Sequence, residues 1–202
     1  MRHLAEASLN PESTAAVILA GGRGSRLGGR EKGDIRLGDR RLIDIVVSAA
    51  REHGCEEVVV AGDIEAAGAV TVREDPPFGG PAAGLAAALP LAESEWVLVL
   101  ACDLPHARLL CHLLFESFRG VDPGIDGLVA LYENRIQWLA GLYRRRSVEA
   151  ALARLGDAAD ASMRDLFGGL ELREVQDPEG LSKDIDTPEE LEAWTQRKEV
   201  EK

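Results

Sequence analysis

Residues 96–101 read Trp-Val-Leu-Val-Leu-Ala, an unbroken apolar run that stops just before Asp103 and Pro105. A strand with one wet face alternates apolar and polar residues, whereas a run without alternation suits a strand covered on both sides. Residues 15–20 and the segment EEVVVAG repeat the pattern near the N-terminus. Between these two, Leu42, Ile45, Val46, Ala49 and Ala50 fall at helical spacing, and Gly54 supplies a stop. The alternation continues. AVTVRED reads as a strand, GGPAAGLAAALPLA and ARLLCHLLFESF as helices, SVEAALARLG and SMRDLF as helices, and LELREV as a late strand. DGLVALYE and QWLAGLYR read as adjacent strands joined at the turn-like pair Asn134-Arg135. Thr187, Pro188 and Glu190 form a capping signature for a last helix. The predicted architecture is a three-layer, Rossmann-like α/β/α fold, with a mostly parallel sheet and a local antiparallel addition. One domain over 15–198 is expected, with a flexible leader at 1–14 and a tail at 199–202.

The chain has 202 residues, is 46% hydrophobic and carries a net charge of −12. That balance suits one globular core and opposes binding to nucleic acid or an anionic membrane. Cys55, Cys102 and Cys111 form no CxxC pair, and His3, His53, His106 and His112 are scattered, which disfavours a zinc site. Unpaired thiols, the lack of an apolar span and the lack of a signal-peptide pattern lead to the expectation of a cytoplasmic protein.

Against the acidic background, residues 23–41 hold seven of the 23 Lys and Arg: Arg23, Arg26, Arg30, Lys32, Arg36, Arg40 and Arg41. They follow the first strand and are interleaved with glycine. The spacing Gly22-x-Gly24-x-x-x-Gly28 is one residue too long for a dinucleotide fingerprint, and about a dozen loop-like residues precede the helix. No Lys followed by Ser or Thr completes a Walker loop. What remains is a glycine nest with cations, a fit for polyphosphate. Asp103 lies where the strongest strand ends, the place where open α/β sheets bind ligands, although an Asp there also suits a helix cap. Asp184 and Asp186, two apart, share a face in extended chain. Carboxylates from two distant segments beside a polyphosphate suit a hard divalent cation.

These segments resemble the nucleotidyltransferases that act on the molybdenum cofactor. LAGGRGSRLGGREK is similar to the family's LAGGxSxRMGxxK, GGPAAGL to its GPLAGL, CDLP to its CDMP, and DIDTPEEL to its terminal (N/D)x(N/D)TPEDL. The motifs occur in family order across residues 17–191. The Gly21-Gly22 pair and QWLAGLYR resemble the guanylyl branch.

The resemblance implies a nucleotidyltransferase fold and GMP transfer from GTP, with Mg²⁺, to the terminal phosphate of molybdopterin-bound molybdenum cofactor, releasing pyrophosphate. By residue match it implies that Leu19, Ala20, Gly21 and Gly22 hold guanosine and that Asp75 and Gly80 assist base recognition. Lys32 would meet the triphosphate, with Arg26 beside it stabilising the leaving charge. Asp103 would bind Mg²⁺, with Asp186 at the second acidic position. GTP, a molybdopterin-type cofactor and molybdoenzyme maturation proteins are the implied partners. Two features depart from the family: Asp34 stands where relatives carry an apolar residue, and the last motif has Asp where the guanylyl branch favours Asn. The rival readings are another small nucleotidyltransferase (a cofactor cytidylyltransferase, a phospholactate guanylyltransferase or a sugar-phosphate enzyme) and a non-catalytic nucleotide-binding module.

Overall fold

The computed structural model describes residues 14–21, 32–119, 121–122 and 124–185. Strand β1 (Thr14–Leu19) is followed by a 3₁₀ turn at Lys32–Asp34, the short strands β2 (Arg36–Leu37) and β3 (Arg40–Arg41), and helix α1 (Leu42–Glu52). Next come β4 (Val58–Ala61), β5 (Val70–Val72), α2 (Gly80–Ala88), β6 (Trp96–Ala101) and α3 (Ala107–Phe118). The remainder is β7 (Gly127–Tyr132), β8 (Arg135–Arg144), α4 (Arg145–Leu155), α5 (Met163–Phe167) and β9 (Leu172–Gln176).

Seven strands form one sheet in the order β5-β4-β1-β6-β8-β7-β9. β5, β4, β1 and β6 are mutually parallel, β8 is antiparallel to both β6 and β7, and β9 is parallel to β7. The mostly parallel sheet with an antiparallel addition is therefore present. The apolar runs sort by parity into two cores, as side chains alternate across a sheet. Ala16, Ile18, Leu98 and Leu100 join residues of α1 and α3 on one face. Ala15, Val17, Val97 and Val99 join residues of α2, α4 and α5 on the other. This is the expected three-layer arrangement.

Two local expectations change. The stretch read as loop before α1 contains the 3₁₀ turn and an antiparallel pair, Arg36 opposite Arg41 and Leu37 opposite Arg40. Strands of two residues are too short to show alternation. Their Leu37, with Ile35, Leu42 and Ile185, forms a small separate core against which Ile45 packs. The main-core face of α1 is consequently built by Ile43, Val46, Val47, Ala49 and Ala50. The β7–β8 turn is Glu133-Asn134, both at positive φ (47° and 58°), one residue earlier than the Asn134-Arg135 reading. A two-residue hairpin turn of type I′ needs positive φ at both central positions, which Asn tolerates and Glu accepts under the constraint of the paired strands. The terminal cap at Thr187 lies outside the described residues.

Candidate active site

The strand order places a crevice between β1 and β6, because the chain leaves β1 toward β4 on one side and returns to β6 on the other. Ligands of open α/β sheets bind at this switch point, outside the carboxyl ends of the strands. Here β1 ends at Leu19, β4 at Ala61 and β6 at Ala101. The backbone locks their ends together: the amide of Ala20 donates to the Ala61 carbonyl at 2.8 Å, and that of Cys102 to the Leu19 carbonyl at 3.1 Å.

A cavity of about 430 Å³ opens there, lined by Leu19, Gly21, Ala61, Glu74, Phe78, Gly80, Pro81, Gly84, Leu139 and Asp160. Its floor is apolar because α2 packs tightly over the strands. A Cβ on Gly84 would meet the Cβ of Ala61 at 3.5 Å and Leu19 Cδ2 at 3.6 Å. A Cβ on Gly21 would meet nothing within 4 Å, so Gly21 borders open space. Ala20 is buried and lines a narrow adjoining cleft with Gly21, Gly62, Asp63, Arg73, Glu74 and Phe78. Asp75 is exposed and does not border the cavity; the carboxylate in that wall is Glu74, whose Oε1 accepts from the Phe78 amide at 3.0 Å.

The charged centre lies beside this cavity. Asp103 is buried, 4% exposed, in the turn after β6. Lys32 Nζ donates to Asp103 Oδ2 at 2.8 Å and lies 3.9 Å from Asp184 Oδ2. The 3₁₀ turn carries Lys32 to this position. Its Gly33 is buried where a Cβ would come within 3.0 Å of Ile64 Cδ1 and 3.3 Å of Ile43 Cβ. Asp184 arrives from the other end of the chain. The Ile185 amide donates to the Asp103 carbonyl at 3.3 Å, and Ile185 inserts into the small core of the hairpin. The preceding loop is fixed by buried Asp177, whose carboxylate accepts from the amides of Leu181 and Ser182, both at 2.8 Å, and from Ser182 Oγ at 2.6 Å. Asp34, the acid where relatives carry an apolar residue, pairs with Arg41, with Nη1 to Oδ1 at 3.1 Å. Arg41 is held as well by Asp44, and these bonds keep its guanidinium firmly protonated.

A second cavity of about 230 Å³ flanks the charged centre, walled by Leu104, Ile136–Ala140, Met163, Ser182 and Asp184. β8 pairs with β6 over Ala140–Arg144 and runs on past it, and the β7–β8 register shifts between Val129 and Ala130, so that Trp138 to Ala140 bulge out of the β7–β8 ladder. The buried Tyr143 hydroxyl donates to the Trp138 carbonyl at 2.8 Å and holds the bulge. Leu139 borders both cavities.

Thus Leu19, Gly21 and Gly80 meet at one cavity, and Lys32 meets Asp103 and Asp184, the last of which borders the second cavity. Gly22, Arg26 and Asp186 lie outside the described residues. Among the described residues no cluster of three or more His, Cys, Asp or Glu is placed to hold a metal. Sequence reasoning missed Glu74, Phe78, Asp160 and Leu139. Glu74 is one residue from the acid that was singled out, whereas Asp160 joins through a loop with no motif, its amide donating to the Gly79 carbonyl at 2.7 Å.

Comparison with known proteins agrees with this fold. The fold is that of α/β nucleotidyltransferases. A molybdopterin-guanine dinucleotide biosynthesis protein A from Archaeoglobus fulgidus superposes with a TM-score of 0.66 at 22% identity, covering 92% of this chain and 99% of that one. The 2-C-methyl-D-erythritol 4-phosphate cytidylyltransferase from Thermus thermophilus gives 0.66 at 20% identity, covering 92% and 98%. In sequence, the molybdenum cofactor guanylyltransferase of Vibrio vulnificus (strain YJ016) is 31% identical over 93% of this chain and 98% of its own length. Residues 16–175 match the MobA-like NTP transferase domain. The chain belongs to the MobA-like NTP transferase family and is a nucleotidyltransferase.

Proposed function

We propose that the protein transfers GMP from GTP to the terminal phosphate of molybdopterin-bound molybdenum cofactor and releases pyrophosphate. The observation that carries this reading is the pairing of the Glu74-walled cavity with the Lys32–Asp103–Asp184 centre, in a chain that aligns end to end with a relative of that name. A cavity of about 430 Å³ lies in the range of small-ligand sites. Glu74 places an acceptor where guanine offers its N1–H and N2–H₂ donors. Adenine lacks that pair, and an unmatched buried acceptor costs about 1–3 kcal/mol.

The acceptor phosphate is itself the nucleophile, so the protein needs none of its own. An acceptor oxygen bonds to the α-phosphorus as the bond from that phosphorus to the β-phosphate oxygen breaks, and the electron pair leaves with pyrophosphate. Positioning and charge neutralisation are the protein's share. Lys32 exchanges its carboxylate partner for the triphosphate. Asp103 and Asp184, hard oxygen donors brought within reach of one ammonium, are the groups that would hold Mg²⁺. When bound, the ion neutralises phosphate charge. The second cavity, bordered by Asp184 and sharing Leu139 with the first, receives the acceptor.

Pyrophosphate release with GTP, ATP and CTP, each with acceptor and Mg²⁺, tests the proposal. GTP should support turnover and chelation should stop it. Faster release with CTP would replace guanylyl with cytidylyl transfer.

A further inference from the structure

Phe78 sits in a conformation that bulky side chains avoid. Its φ is 69°, in the left-handed region, and its ring is 54% exposed. Such a conformation persists only where the surroundings impose it, and it gathers at functional sites. The impositions are visible. The Phe78 amide donates to Glu74 Oε1 at 3.0 Å, and the next carbonyl, Gly79, accepts from the Asp160 amide at 2.7 Å. The Arg73 guanidinium lies over the ring, 4.8 Å from its centroid, and is itself held by Asp63 at 2.6 Å. Phe78 borders both the large cavity and the narrow cleft that contains Arg73 and Asp63. Gly21 and Glu74 border both as well, so Phe78 stands where the two adjoin.

A clamped, strained, exposed aromatic in the wall of a cavity suited to a planar base is a stacking surface. Resting on the reading of that cavity as the base site, we propose that Phe78 stacks on the base of the bound nucleotide, with Arg73 as the positioning residue that holds the ring. Stacking accepts any base, because every base has a π-face. Phe78 then supplies affinity without selecting the base, while Glu74 selects guanine. The strain is the means: the left-handed backbone presents the ring to the cavity.

The strain also makes the test specific. Glycine adopts this φ without penalty, so Phe78→Gly removes the ring and leaves the loop path intact. The full chain is titrated calorimetrically with GTP, CTP and inorganic tripolyphosphate, and its Tm is measured. Phe78→Gly should lower GTP affinity roughly tenfold or more, leave tripolyphosphate affinity as in the parent, and leave Tm nearly unchanged. Phe78→Tyr should bind GTP as the parent does. Parental GTP affinity in Phe78→Gly overturns the proposal, and so does an equal loss for tripolyphosphate, which would mark a collapsed site. If the parent prefers CTP, the guanylyl reading fails separately, and the loss of CTP affinity in Phe78→Gly then decides the stacking role.

Discussion

Replacing Asp103 by Asn keeps shape and hydrogen bonding while removing the charge that Lys32 contacts at 2.8 Å. Turnover should fall roughly a hundredfold or more, a few kcal/mol of transition-state stabilisation. Tm should shift little, because Lys32 retains Asp184 nearby. Near-parental pyrophosphate release from a folded Asp103→Asn would remove Asp103 from the reaction. Gly21 is the complementary case. A methyl there meets no atom of the described residues within 4 Å, so Gly21→Ala should fold normally. The same methyl enters the cavity, and it should weaken GTP binding more than CTP binding, since two fused rings need more room than one. Calorimetry of both nucleotides checks this, and equal losses would count against it. At this scale the sequence was informative where a motif existed. Lys32, Asp103 and Gly21 stood in one. Phe78 and Leu139 were not singled out, although Leu139 lies within QWLAGLYR, because what distinguishes them is a backbone angle and a bulge, which are not visible as residue types.

The long elements were legible because their apolar patterns are strong: α3 spans Ala107–Phe118 as its sequence reads. The short hairpin was not legible, because its stability comes from a partner about 150 residues away, Ile185, rather than from its own pattern. The bulge in β8 was equally hidden. It carries a prediction. Tyr143→Phe leaves the half-buried Trp138 carbonyl without its 2.8 Å donor. Urea unfolding should show a loss of about 1–3 kcal/mol. If the bulge shapes the acceptor cavity, KM for the acceptor should rise while GTP affinity stays level. A change in GTP affinity alone would sever the bulge from the acceptor side.

Across the whole molecule the two cores leave no cysteine at the surface: Cys55, Cys102 and Cys111 are all buried, and none is in a disulfide. Burial pushes the Cys55 thiol up to about 12 and the Cys111 thiol up as well, so both stay protonated at neutral pH. A thiol reagent at pH 7 should therefore label these two only as fast as the protein opens. Both should react at once in denaturant. Bound GTP should slow labelling, as a ligand that binds only the native state deepens it. Rapid labelling of Cys111 in the native protein would contradict the packing of α3.

The position of β1 has a consequence for synthesis. It is the first strand among the described residues, it is buried along its whole length, and one of its two neighbours, β6, is about 80 residues further along the chain. Until β6 leaves the ribosome, one edge of β1 has nothing to pair with, and an open apolar edge invites other chains. Closing so large a loop is also slow. Nascent chains ending before Trp96 should consequently bind holdase chaperones or aggregate, and chains that include β6 and its antiparallel neighbour β8 should be released. An interior strand of the finished sheet is thus the most vulnerable strand of the unfinished one.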